Sequence, residues 1–270
     1  MRISFLSILC IAVSAAVSFA FPVFLFAVFR KKYGARIRPA LAGAAVFVVF
    51  ALVLEQILHF FVLRSVRPAE TPFLYILYGI LMAGIFEESG RFFAFTLMKK
   101  RYGECAPVSA ALSYGVGHGG IEAILFGGLV MINNLAAAAR INAGTIDTLT
   151  GRLEGASLAR AESQMRALIT TPPWHFLMGG LERVSAMGIH IALSVMVFYA
   201  VFGKKRFRLF PLAVLLHAMV TIPAAAMQAG ILDRILPVEI TVFVLAGALV
   251  FLARFIHRQC KNDLPQGGAD

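Results

Sequence analysis

Glu87 and Glu88 stand side by side in the run Ile85-Phe86-Glu87-Glu88-Ser89-Gly90-Arg91, inside a segment that is otherwise almost wholly apolar. A charge in such surroundings is costly and is normally turned towards a partner or a wet cavity. Glu87 and Arg91 are four residues apart and share a helix face. Arg91 can neutralise one carboxylate. The other then sits beside a like charge in a poor solvent, which makes it a proton acceptor usable near neutral pH. Tyr114, His118 and Glu122 repeat at four-residue spacing and form one polar stripe, flanked by Gly115, Gly117, Gly119 and Gly120. Small residues of that kind let helices approach closely. Glu182, Arg183 and His190 fall in a later apolar segment, and His217 and Thr221, again four apart, in the next, with Gln228 further along the same face. Glu55 and Gln56 interrupt an earlier one.

The elements that must position these groups follow from composition. Of 270 residues, 60% are hydrophobic and 14% charged, where a soluble domain is nearer a quarter charged. The apolar residues fall in runs near the ~20 residues a helix needs to cross hydrocarbon. The pattern predicts an all-α membrane bundle of seven transmembrane helices, over about 3–29, 40–63, 72–98, 106–137, 174–202, 208–228 and 235–256. The net charge of +11 is concentrated in short clusters after the first, third, fifth and seventh runs: Arg30 to Arg38, Lys99 to Arg101, Lys204 to Arg208, and Arg254 to Lys261. The opposite loops are diluted by Glu70, Asp147, Glu154, Glu162 and Asp233. Positive loops stay in the cytoplasm. The alternation therefore predicts an outer N-terminus, a cytoplasmic C-terminus and a multi-pass protein of the plasma (inner) membrane. It also explains the basic charge without nucleic acid, for which no binding signature is present.

Residues 1–260 read as a single transmembrane helical domain, with 261–270 a short cytoplasmic tail. Within it, 140–172 is a polar, alanine-rich outer loop with one or two short amphipathic helices, closed by Pro172 and Pro173 before an interfacial Trp174 and His175. The N-terminal apolar run continues through Phe29, so a retained helix is expected rather than a cleaved signal peptide. Cys10, Cys105 and Cys260 are widely spaced and suggest neither a disulfide framework nor a zinc-thiolate site.

Depth separates the polar residues into groups. Counted inward from the basic ends, Glu88, His118, His190 and His217 lie about 9 to 13 residues in, roughly 14 to 20 Å at the helical rise. Helices of alternating direction thus bring an acid and three histidines to one layer. Glu122 and Glu182 lie further outward and suit a surrounding shell. A lone intramembrane histidine commonly bonds a neighbouring helix and does nothing else; His59, His175 and His257, near helix ends, suit the interface.

Three segments resemble a known pattern. The CAAX protease and bacteriocin-processing superfamily carries a glutamate pair followed by Arg, an aromatic residue four before a His, and a later His followed four on by Asn or Asp. Here they correspond to Glu87-Glu88-Ser89-Gly90-Arg91, Tyr114 to His118, and His217 to Thr221. The likeness is closer to a sister group, the YhfC family of predicted intramembrane metalloproteases, over Phe86 to Phe92, Gly115 to Ile124, Glu182 to His190 and Leu216 to Pro223. The chain departs from the CAAX pattern in having two residues between Glu-Glu and Arg where three are usual, Thr221 in place of Asn or Asp, and seven helices in place of eight.

The resemblance implies hydrolysis of a peptide bond, in a peptide or membrane-protein substrate, within or near the lipid bilayer. Glu87 with His118 would activate water, with Glu88 and Arg91 orienting it. His217 with Thr221 would stabilise the oxyanion, and Tyr114, Glu122 and Glu182 would form the surrounding shell. His118, His190 and His217 are then candidate metal ligands. Three imidazoles and a carboxylate suit catalytic zinc, while a metal-free glutamate mechanism uses the same residues, and the sequence does not separate the two. Two other classes stay open: a proton- or ion-coupled transporter, against which stands the lack of an internal repeat, and a non-catalytic scaffold keeping a protease-like site, which Thr221 favours.

Overall fold

Each apolar run becomes one long helix because, without water, backbone N–H and C=O groups must be satisfied inside the segment. The computed structural model describes residues 2–66, 70–103, 106–145 and 150–263; Cys105, Asp147 and the expected tail beyond residue 263 lie outside them. Among the described residues no strand occurs, and seven helices are long and apolar enough to cross a membrane: Phe5–Tyr33, Ile37–Val62, Pro72–Arg101, Ser109–Ala143, Pro173–Phe202, Leu209–Gln228 and Ile235–Cys260. The expected seven spans are all present, with shifted ends. The first runs past Phe29 through Arg30, Lys31 and Lys32. Basic side chains favour a helix C-terminus and reach outward from it, so charge alone does not stop the helix.

In chain order the elements are α1 (Phe5–Tyr33), α2 (Ile37–Phe47), α3 (Glu55–Val62), α4 (Pro72–Tyr102), α5 (Ser109–Glu122), α6 (Leu129–Ala143), α7 (Gly155–Thr170), α8 (Pro173–Phe202), α9 (Leu209–Gln228) and α10 (Ile235–Cys260). Two spans contain a π-helical stretch, Val48–Leu54 between α2 and α3, and Ala123–Gly128 between α5 and α6. Such stretches hold one more residue per turn, re-aim the side chains that follow, and gather at functional sites. The first ends at Glu55 and the second begins after Glu122. Helix α4 starts with Pro72 in its first turn, where the missing N–H is no loss. It ends at Gly103, whose φ of 71° lies where residues with a Cβ are strained.

The chain divides into two compact units, Met1–Phe21 with Ala123–Val184, and Pro22–Glu122 with Ser185–Asp270. In the first, Ile3, Cys10 and Ile11 of the N-terminal segment pack with Ala138, Leu168 and Phe176. Helix α7 is the single amphipathic helix described in the expected outer loop. In the second, the C-terminal half of α8 is the core. Leu193, Met196, Val197, Phe198 and Tyr199 are wholly enclosed and join Phe95, Tyr114 and Ala213 in one apolar cluster. A helix apolar on every side belongs at such a centre. The outer surface is the inverse of a soluble protein's: Phe73 is 78% and Phe251 74% exposed, as suits side chains solvated by lipid.

Candidate active site

Four helices of the second unit deliver the polar residues. Helix α4 carries Glu87, Glu88 and Arg91; α5 carries Tyr114, His118 and Glu122; α8 carries His190; α9 carries His217 and Thr221. Glycine makes the α5–α8 approach possible. A Cβ on Gly115 would stand 2.6 Å from the Ile191 Cα and 3.1 Å from the His190 carbonyl oxygen. The backbones meet there, and His118 is carried three residues further along α5. The His118 and His190 rings lie 4.8 Å apart, and those of His190 and His217 5.7 Å.

The two adjacent glutamates are held differently. Glu88 pairs with Arg91 three residues on, and its Oε1 also accepts from His217 Nδ1 at 2.7 Å. Glu88 and Arg91 are both at 0% exposure. Glu87 keeps 9% exposure and faces imidazoles instead: its Oε2 accepts from His118 Nε2 at 2.8 Å and lies 3.8 Å from His190 Nδ1, and its Oε1 is 3.9 Å from His217 Nε2. The two glutamates thus separate into an enclosed, charge-compensated carboxylate and a reachable one surrounded by histidines.

Hydrogen-bond logic fixes the ring roles. Arginine only donates, and an Arg91 Nη lies 3.1 Å from His190 Nδ1. His190 therefore accepts at Nδ1 and carries its proton on Nε2, which pairs with Glu122. His217 gives its Nδ1 proton to Glu88, so Nε2 is the atom turned towards Glu87. Among the described residues, His118 Nδ1, Glu88 Oε2 and the Tyr114 hydroxyl have no hydrogen-bond partner although buried. Tyr114 lies under His118 with ring centroids 5.9 Å apart.

Thr221 is engaged elsewhere. Its hydroxyl donates to the His217 carbonyl at 2.9 Å, closing its own helix turn. Glu182 belongs to the first unit, where it pairs with Arg183. A further acid joins the second-unit group. Glu55, on α3, is buried and within electrostatic reach of Glu87 and His217. It lies 3.3 Å from His59 Nε2, whose Nδ1 is 2.8 Å from the Tyr78 hydroxyl. His59 is half-buried between these partners. Tyr78 has no sequence signal, since its partner sits on another helix.

The donor set fits a divalent metal. One ligand atom each from Glu87, His118 and His190 lies within 4.8 Å of the others. Zinc–nitrogen distances near 2.0–2.1 Å imply tetrahedral ligands about 3.3 Å apart, and the 2.8 and 3.8 Å separations bracket that value; ligation would replace the His118 Nε2 proton and the Arg91 contact on His190 Nδ1. His217 is adjacent to this trio. Glu88 on His217 and Glu122 on His190 are carboxylates placed behind imidazoles, the usual means of orienting such ligands. The charge balance agrees: Arg91 compensates Glu88, while Glu87 is a buried carboxylate that calls for a proton or a cation.

No solved structure matches the chain. It is 39% identical over 252 residues to the uncharacterized membrane protein YhfC of Bacillus subtilis (strain 168), covering 91% of this chain and 94% of that protein. Residues 17–242, which contain every helix of the cluster, match the YhfC intramembrane metalloprotease family. This multi-pass membrane protein, with a carboxylate and imidazoles gathered between its helices, therefore belongs to the YhfC family of intramembrane metalloproteases.

Proposed function

We propose that the protein hydrolyses a peptide bond of a membrane-embedded or membrane-apposed substrate, using water activated at Glu87. The observation that carries this reading is the division of labour between Glu87 and Glu88. Only Glu87 is both reachable and surrounded by imidazoles. Glu87 takes a proton from the attacking water as the oxygen–carbon bond forms, and returns it to the amine nitrogen as the carbon–nitrogen bond breaks. His118 holds Glu87 in place through its Nε2 and is itself packed against Tyr114 and Phe47.

Glu88 and Arg91 form the fixed frame. Glu88 accepts from His217 Nδ1 and steadies the ring as an imidazolium, whose Nε2–H faces the reacting centre and stabilises the oxyanion as a preorganised donor. The Tyr114 hydroxyl, with no partner among the described residues, is a second donor for that charge. Thr221 acts through the backbone turn that carries His217 rather than by touching the oxyanion. Glu87, His118 and His190 are the residues that would hold a metal, with His217 beside them; zinc there would polarise the carbonyl and activate the bound water. In the membrane, the basic helix ends face the cytoplasm and the N-terminus faces outward.

The test is a proteomic comparison of membranes expressing the intact protein or Glu87→Gln. Peptides whose cut requires Glu87 identify the substrate and support the activity. Identical peptide profiles, with both proteins inserted to the same level, refute it.

A further inference from the structure

The Glu/His cluster is sealed on one flank and open on another. The side chains of Glu88, Arg91 and His118 have no exposure. Those of Glu87 and His217 keep 12% and 7%, and on α3 those of Glu55 and His59 keep 8% and 21%. The open flank is therefore the one lined by α3, α4 and α9, and it widens towards His59, near the end of α3. Glu55 and His59 are four residues apart and share a face, which the π-helical stretch Val48–Leu54 just before them sets. His59 Nδ1 lies 2.8 Å from the Tyr78 hydroxyl of α4. Tyr75, one turn nearer the start of α4, donates to Gln228 of α9 at 3.3 Å. Polar side chains of three helices thus form a seam from Glu87 to the end of the bundle where α4 starts and α9 stops. Along α4, from Glu87 to Tyr75, it covers about 18 Å at the helical rise.

Such a seam is costly to keep dry. A carboxylate among apolar helices needs partners, and Glu55 has one side-chain contact among the described residues, with His59. Glu87, within its electrostatic reach, is a like charge and does not serve. Water does: it donates to carboxylate oxygens, and imidazole and phenol bond it in either sense. The rest of the span is not polar. Leu54, Ile57, Phe60 and Phe61 are its exposed side chains, as suits contact with lipid. Hydrolysis, in turn, consumes one water for each peptide bond cut, and hydrocarbon does not supply it.

We propose that water reaches Glu87 along this seam, entering beside Tyr75, Tyr78 and Gln228 and passing His59 and Glu55. Glu55 and His59 are then positioning residues, which act on water before it meets the reacting centre. With the basic helix ends in the cytoplasm, the route opens at the outer face. Its hydration stands by itself, and its role as the source of the attacking water rests on the hydrolytic reading.

Hydroxyl-radical footprinting by radiolysis of water tests it on the full chain in phosphatidylcholine nanodiscs, read by mass spectrometry. A radical made from a water at a side chain oxidises that side chain before it can diffuse away. Wild type should be oxidised at Tyr75, Tyr78, His59 and His217. Phe251, far more exposed but set among lipid tails in the middle of α10, should stay unmodified. His59→Leu should lose the oxidation of His217, keep that of Tyr75 at the rim, and lose Glu87-dependent cleavage with it. Wild type modified at Tyr75 but not at His59 and His217 overturns the proposal, and makes Glu55, His59 and Tyr78 a dry pin between α3 and α4; this result needs no variant to fold. Oxidation of His217 that persists in a folded His59→Leu overturns it too, and places the entry elsewhere, as past Glu122, the other accessible acid of the cluster. The expected pattern in a protein whose peptide profile ignores Glu87→Gln would uphold the route and refute hydrolysis.

Discussion

Gly115→Ala links packing to chemistry in one substitution. The added methyl would meet the Ile191 Cα at 2.6 Å, where carbon atoms rest at about 3.5–4.0 Å. The obstacle is backbone, with no rotamer to turn away, so α5 and α8 must separate by about 1 Å. Overpacking of this kind costs up to about 3 kcal/mol, and alanine's better helix propensity returns about 1 kcal/mol. The net loss of about 2 kcal/mol corresponds to a melting decrease of about 4–8 °C for a chain of this size. A thiol-reactive dye can follow it, since Cys10 and Cys260 are buried. The same displacement parts His118 from His190, and a 1 Å error in a reacting constellation costs about 100-fold in rate. The control is Gly247→Ala in α10, whose methyl meets nothing within 4 Å and should leave cleavage unchanged and melting the same or slightly higher through the same helix-propensity gain. Wild-type melting and cleavage in Gly115→Ala would refute the claim that this contact sets the site.

The remaining expectations use the same reasoning. Arg91→Met removes the partner of an enclosed carboxylate and should cost about 3–5 kcal/mol in dye-monitored melting, whereas adding Glu88→Gln should recover much of that loss. Thr221→Val should leave cleavage within a few-fold of wild type, because the hydroxyl serves its own helix turn; a 100- to 1000-fold loss would mean that it touches the oxyanion. Asn262→Cys should react with a membrane-impermeant maleimide only in opened cells and Glu154→Cys in intact ones; the reverse pattern would invert the topology.

The spans were legible because hydrocarbon thickness imposes a length that any apolar run must meet. Their ends were not, since Arg30 to Lys32 can extend a helix into the interface as readily as stop it. Depth, a one-dimensional quantity that survives folding, grouped Glu88 with His118, His190 and His217; that its neighbour Glu87 is the carboxylate facing the imidazoles was not legible from it. Nor was the partner of Arg91. Positions three and four apart are equally good neighbours on a helix, and the placement of His118 and His217 on other helices decides that Glu88 takes the arginine. The π-helical stretches beside Glu55 and Glu122 carry no residue signature. The Glu55–His59–Tyr78 chain crosses between α3 and α4, so no spacing rule reveals it. Thr221 stands four residues after His217 as the family pattern leads one to expect, yet a hydroxyl can bond the carbonyl four residues back, and here it does.

The convergence of the cluster can be measured through bound metal. Protein purified in detergent and dialysed against buffered zinc should hold about one equivalent by elemental analysis, the load of a single mononuclear site. Glu87→Gln on α4, His118→Ala on α5 and His190→Ala on α8 should each lose it while melting normally. A wild type that binds no zinc, or variants on three helices that all keep it, would contradict the account.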